Sequence, residues 1–172
     1  GYQFTFPMAS KKYKKRFGIP KNIEELKNHT ILMRQMSNGS YYPILENGQH
    51  SIDLSSYSQV FLGDASVCKR MLIQGEGIAI DIGASFVDEE LESEEVFPIL
   101  TGWHRPPWPI SIACRKENKN ERIVQDIIEM IRDWYTRPGR DHWIYWYKRL
   151  QIPSENLPGI YLPFGWRKKL NQ

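Results

Sequence analysis

Three short stretches hold the residues of this chain that could do chemistry: Arg34-Gln35-Met36-Ser37, Gly63-Asp64-Ala65-Ser66 and Asp81-Ile82-Gly83-Ala84-Ser85. Each is polar and lies at the end of a short apolar run, or close after one, of the kind that forms a buried strand. In open α/β sheets ligands lie outside the carboxyl ends of strands, and a helix that starts there adds free backbone amides. The chemistry such residues suit is the holding of a small molecule.

Catalysis lacks its parts. Hydrolysis needs a nucleophile, a base and an oxyanion site in mutual reach, yet the sequence has no nucleophile elbow and only four scattered histidines, His29, His50, His104 and His142. None of these has metal-ligand spacing with Cys68 or Cys114, so no metal, no cofactor and no catalytic residue is expected. Lys and Arg number 23 against 20 Asp and Glu, a balance of +3 that is too small to imply nucleic-acid binding. Two cysteines, expected in apolar surroundings on a helix and a strand, fit a reducing, cytoplasmic location. No apolar stretch is long enough to cross a bilayer and no signal peptide is visible, so no membrane partner is expected.

The elements that must position the polar stretches follow from spacing. The chain of 172 residues is 41% hydrophobic and 13% aromatic, ample for a packed core. Ala65, Cys68, Met71 and Leu72 recur at helical spacing after an Asp64 that can cap, and Gly75 suits the left-handed residue that closes a helix. Ile78, Ala79, Ile80 and Ile82 then read as a buried strand. Strands are also expected at residues 2–6, 31–33, 59–62, 96–100 and 110–114, with 38–49 as a loop or hairpin. A short helix starts at Ser10 with Tyr13 and Phe17 on its inner face, a capped turn runs from Asn22 to about Asn28, and the acidic stretch 88–95 carries a surface helix. Residues 103–109, with three prolines and two tryptophans, make an extended connection. Asn118 and Glu121 have capping spacing before a long amphipathic helix whose stripe is Ile123, Ile127, Ile131 and Trp134.

The order of these elements and several local motifs resemble the effector-binding domain of LysR-type transcriptional regulators. Ala9-Ser10-Lys11-Lys12-Tyr13 through Phe17-Gly18-Ile19-Pro20 is similar to the segment in which a small residue and Ser open a helix that ends in a Gly-x-Pro turn. Glu25-Leu26-Lys27-Asn28-His29 resembles the Asp/Glu-Leu-x-x-His piece before a strand, and Gln74-Gly75-Glu76-Gly77-Ile78-Ala79 the Gly-x-Gly-Ile/Val segment. The acidic run leading to Phe97-Pro98-Ile99-Leu100 is similar to the turn and strand that follow it.

The resemblance covers about residues 4–134. It implies an α/β fold: one lobe of a type II periplasmic-binding-protein-like, mixed-sheet architecture over residues 1–102, then a linker, return strand and helix of the first lobe over 103–136. Residues 137–172 form an aromatic and basic extension, read as a docking arm in preference to a single-strand nucleic-acid binder. An effector would be held by Gln35 and Ser37 after one strand, Asp64 and Ser66 at the helix start, and Asp81 and Gly83 after the next strand. Asp64 and Ser66 equally suit a purely capping role. The implied partners are a small-molecule effector and further copies of the chain in a homo-oligomer. DNA would be reached only through a helix-turn-helix domain that this chain does not contain. The apolar stripe at 123–134 is expected to pack on the chain's own aromatic tail or on a second copy. The alternatives are a periplasmic solute-binding lobe and an oligomerisation module with an empty cleft.

Overall fold

The computed structural model describes residues 2–3, 5–48, 50–106, 108–109 and 111–136. Its strands are β1 (Tyr2–Gln3), β2 (Met8–Ser10), β3 (Ile31–Arg34), β4 (Ile44–Asn47), β5 (His50–Asp53), β6 (Val60–Gly63), β7 (Ile78–Ala79), β8 (Val96–Pro98) and β9 (Trp108–Pro109). The α-helices are α1 (Lys11–Phe17), α2 (Ala65–Gln74), α3 (Asp88–Glu92) and α4 (Arg122–Thr136). Five strands form one mixed sheet in the order β6-β3-β7-β2-β8. Strands β6, β3 and β7 are parallel, while β2 runs antiparallel to both β7 and β8.

Alternation along these strands explains why the sheet is covered on both faces. Met8, Leu32 and Ala79 point into one cluster with Cys68 and Leu72 of α2, whereas Ala9, Ile31, Met33, Ile78 and Ile80 point into another with Tyr13, Leu26, Leu45 and Leu54. Ile31, Leu32 and Met33 are therefore all fully buried, as a doubly covered strand requires. The first face carries α2; the second carries α1, the 3-10 turn Glu24–Asn28 and the β4-β5 hairpin.

Capping chemistry sets the helix ends. The Tyr13 N–H donates to Ser10 Oγ at 3.3 Å, and Asn22 Oδ1 accepts from the Glu25 N–H at 3.0 Å while Glu25 Oε2 accepts from the Lys21 N–H at 2.8 Å. Gly75 takes φ 77 and ψ 37, the left-handed closure expected of it.

Four expectations are corrected. The chain pairs at Tyr2–Gln3 and not through residue 6, then re-enters the sheet after Pro7 as β2, because Pro7 has no N–H but its carbonyl still accepts from Ile99. Residues 111–114 are exposed and form no strand, and Cys114 with them: β1 pairs with Trp108 and Pro109, and an isolated apolar run has no ladder to join. Phe17 is 54% exposed; its ring rests on Tyr13, 5.1 Å between centroids, and on the Arg16 guanidinium. Asn118 ends a 3-10 turn, and it is its backbone carbonyl that takes the Glu121 N–H.

Helix α4 keeps the expected stripe, with Ile123 65%, Ile127 45% and Ile131 37% exposed and no cover among the described residues. The extension at 137–172, expected to cover it, lies outside the described residues.

One part-buried pair makes stability depend on pH. Tyr13 Oη and His29 Nδ1 are hydrogen-bonded at 2.9 Å on the second face. Burial lowers the His29 pKa from its ordinary 6.5, with Glu25 opposing. Between that lowered value and 6.5 the unfolded chain binds more protons, so stability is complete above 6.5 and falls as acid charges the ring. Urea midpoints measured from pH 7.5 down to 5 should drop below 6.5 in the wild type and drop less in His29→Asn; equal slopes would refute the assignment.

Candidate functional site

The parallel register brings three strand ends to one edge of the sheet. Arg34 pairs with Gly63 across β3 and β6, the Gln35 N–H donates to the Gly63 carbonyl at 2.8 Å, and the Ile80 N–H beyond β7 donates to the Leu32 carbonyl at 3.2 Å. Gln35, Asp64 and Asp81 consequently leave neighbouring strands on the same side. The antiparallel pair β1 and β9, through which the chain enters and leaves the main sheet's unit, brings Trp108 against this edge, its ring 4.1 Å from the Arg34 guanidinium.

Each expected site residue has a definite local engagement. Gln35 Nε2 donates to the Gly39 carbonyl at 3.0 Å, bracing the turn on which Ser37 stands exposed. Asp64 Oδ1 accepts from the N–H groups of Ser66 and Val67 at 2.8 and 3.0 Å, so the carboxylate caps α2, and Ser66 presents its side chain to solvent. Gly83 gives its carbonyl to the Phe86 N–H at 2.9 Å, starting a 3-10 turn. Lys69 of α2 fastens that turn by donating to the Phe86 carbonyl at 2.7 Å and pairing with Glu90 at 3.3 Å.

Asp81 differs from the other five. Its side chain is 1% exposed and ion-paired with Arg105, itself 1% exposed, while Arg34 Nε stands 3.8 Å from its second oxygen. Burial pushes the Asp81 carboxyl up, and the Arg105 and Arg34 charges pull against it; burial likewise lowers Arg105, with Asp81 opposing. Both guanidiniums also stack on Trp108, at 4.1 and 4.4 Å, and Arg105 lies 5.1 Å from the Tyr42 ring centroid. The cluster is thus two cations and one anion walled by two aromatic rings. Arg34 is legible in the sequence as a polar strand end, but Arg105, Trp108 and Tyr42 are not legible as site residues. They sit on irregular or very short segments with no period to mark them, and the one cue is the crowding of Trp, His, Arg and Pro at 103–109.

Cys68 is buried, its thiol bonded to the Met33 and Gly63 carbonyls at 3.5 and 3.6 Å, and burial raises its pKa to about 11. Such a thiol is packing material for α2 and a poor nucleophile. Among the described residues no group of His, Cys, Asp and Glu could hold a metal ion, and no helix is long and apolar enough to cross a membrane.

A family model described as the LysR substrate binding domain matches residues 5–136. Among solved structures, CrgA, a LysR-type transcriptional regulator from Neisseria meningitidis, superposes with a TM-score of 0.59 at 17% identity, over 76% of this chain and 44% of CrgA. The regulatory domain of a cysteine-to-serine variant of AphB from Vibrio vulnificus gives 0.56 at 17%, over 76% and 66% respectively. A full-length AphB variant gives 0.51 at 23%, over 62% of this chain and 36% of that one. The chain therefore spans between about a third and two thirds of these proteins. No curated protein sequence matches it. The fold is a mixed α/β lobe of the type II periplasmic-binding-like class found in LysR regulatory domains, which bind small-molecule effectors, form oligomers and belong to a non-enzymatic class. With a five-stranded mixed sheet, three parallel strand ends on one edge and a family match across most of its length, the chain belongs to the LysR substrate-binding domain family.

Proposed function

We propose that this chain is the effector-sensing part of a LysR-type transcriptional regulator working in the cytoplasm, and that its ligand lies at the carboxyl ends of β3, β6 and β7. The observation that supports this most is the shared edge: Gln35, Asp64 and Asp81 leave adjacent parallel strands together, the general location of ligands in open α/β sheets. Ser37, Ser66 and Gly83, on the segments that leave those strands, are assigned to the rim. In this reading residues 1–102 are the second lobe, and residues 103–136 belong to the first. The exposed face of α4, Ile123, Ile127, Met130 and Ile131, is then where the first lobe or another subunit is met in a homo-oligomer. DNA binding belongs to a helix-turn-helix domain not contained in these 172 residues.

A ligand that binds only the folded form must raise its stability by mass action, by about 2.7 kcal/mol at a hundred times its dissociation constant. A thermal-shift screen of the full chain against small acids, amino acids and sugars should therefore find at least one compound that raises Tm in a saturable way. A flat response across all three classes would reject the sensor reading and favour a module used for contact alone.

A further inference from the structure

Resting on the sensor reading, the structure assigns a preferred ligand class: we infer that Arg34 and Arg105 together bind the carboxylate of a small monoanionic molecule whose carbon skeleton lies against Trp108 and Tyr42. The assignment starts from unmet hydrogen-bonding capacity. Among the described residues, the buried Arg105 Nε and Nη2 and Arg34 Nε have no hydrogen-bond partner. A guanidinium that is 1% exposed seldom leaves donors idle, because each such group has given up water without replacement.

Charge selects the ligand. Two guanidiniums face one carboxylate, Asp81, which leaves one positive charge uncompensated. A monoanion neutralises it; a dianion such as a phosphate monoester would bring surplus negative charge against a buried Asp81. Shape agrees with charge, since a guanidinium fork matches the two oxygens of a carboxylate. The rings of Trp108 and Tyr42 supply flat apolar walls to the cluster. Arg34, with a side chain 30% exposed, and Tyr42, at 42%, mark the side from which a ligand reaches Arg105. Asp81 is then an internal stand-in for the ligand's carboxylate that holds both arginines in place before binding.

The test uses matched pairs with the full chain: acetate and acetamide, propionate and propionamide, benzoate and benzamide, with methyl phosphate as a contrasting anion, followed by calorimetric titration. At least one carboxylate should bind ten or more times tighter than its amide and tighter than methyl phosphate. Arg105 variants are at risk of not folding, so the decisive variant is Arg34→Gln, at a part-exposed position, which should weaken the carboxylate about tenfold while keeping a cooperative unfolding transition. Carboxylates that bind no better than their amides, or equally well to Arg34→Gln, overturn the ligand class. Should the acid, amino acid and sugar screen still find a neutral ligand, the sensor reading survives that failure; should nothing bind, both fall.

Discussion

Asp81→Asn should lower the unfolding free energy by about 3–5 kcal/mol, because it removes the counter-ion of a buried guanidinium and leaves that charge in place. Asp81 and Arg105 are each 1% exposed, so the loss of either leaves the other buried without its counter-ion. Against a total stability of about 5–15 kcal/mol for a typical domain, this is a large share of the margin. The pair itself is not a large net source of stability. Burial disfavours both ions, raising the Asp81 pKa and lowering that of Arg105, and their attraction offsets that cost only in part. Accordingly, Asp81→Leu combined with Arg105→Met should recover most of the loss in urea unfolding, while Asp81→Asn alone does not. A single Asp81→Asn variant as stable as the wild type would show that Arg105 finds solvent or another partner, and the cluster would lose its role as a prepared site.

Local chemistry in the sequence reaches the edge of the sheet but not the centre of the site. Asp64 and Gly75 announce both ends of α2, since a cap and a left-handed closure each involve residues only a few positions apart. The runs at 31–33 and 78–80 announce buried strands, and two parallel strands joined by a helix put their carboxyl ends together. Arg105 is far from Asp81 in sequence, on a connection shaped by prolines, and nothing periodic links them. Pairings of that kind are decided by tertiary folding. Strand β2 is hidden for a related reason: it is three residues long, begins directly after a proline and ends on the serine that caps α1, so its strand character comes from the neighbours β7 and β8 on either side. Residues 111–114 show the converse, an apolar run whose composition favours a strand but which has no neighbour among the described residues.

Those contrasts also bear on what a likeness to LysR regulatory domains supplies. Membership of the family is compatible with the proposed effector, but it does not choose that ligand's chemistry. The choice rests on Arg34, Arg105, Trp108 and Tyr42, side chains that carry the charge and the flat walls, and on the register that sets Arg34 beside Gly63 and within 3.8 Å of Asp81.

Gly75→Ala should cost about 2–5 kcal/mol, from two causes that act together. Its φ of 77 places a side-chain-bearing residue in the left-handed region, at about 1–2 kcal/mol. An added Cβ would also stand 2.8 Å from Lys12 Cβ and from the Tyr13 nitrogen, and 3.0 Å from the Lys12 carbonyl carbon. Most of those atoms are backbone, so α1 and α2 must separate, an overpacking cost of about 1–3 kcal/mol. Gly39 separates the two causes, having φ 81 and nothing within 4 Å of where a Cβ would stand, so Gly39→Ala should show the conformational part alone. If urea unfolding gives the two variants equal losses, the close approach of α1 to α2 is not a constraint. If Gly75→Ala loses more, as expected, the difference measures what the close approach of α1 to α2 costs when a methyl group is forced between them.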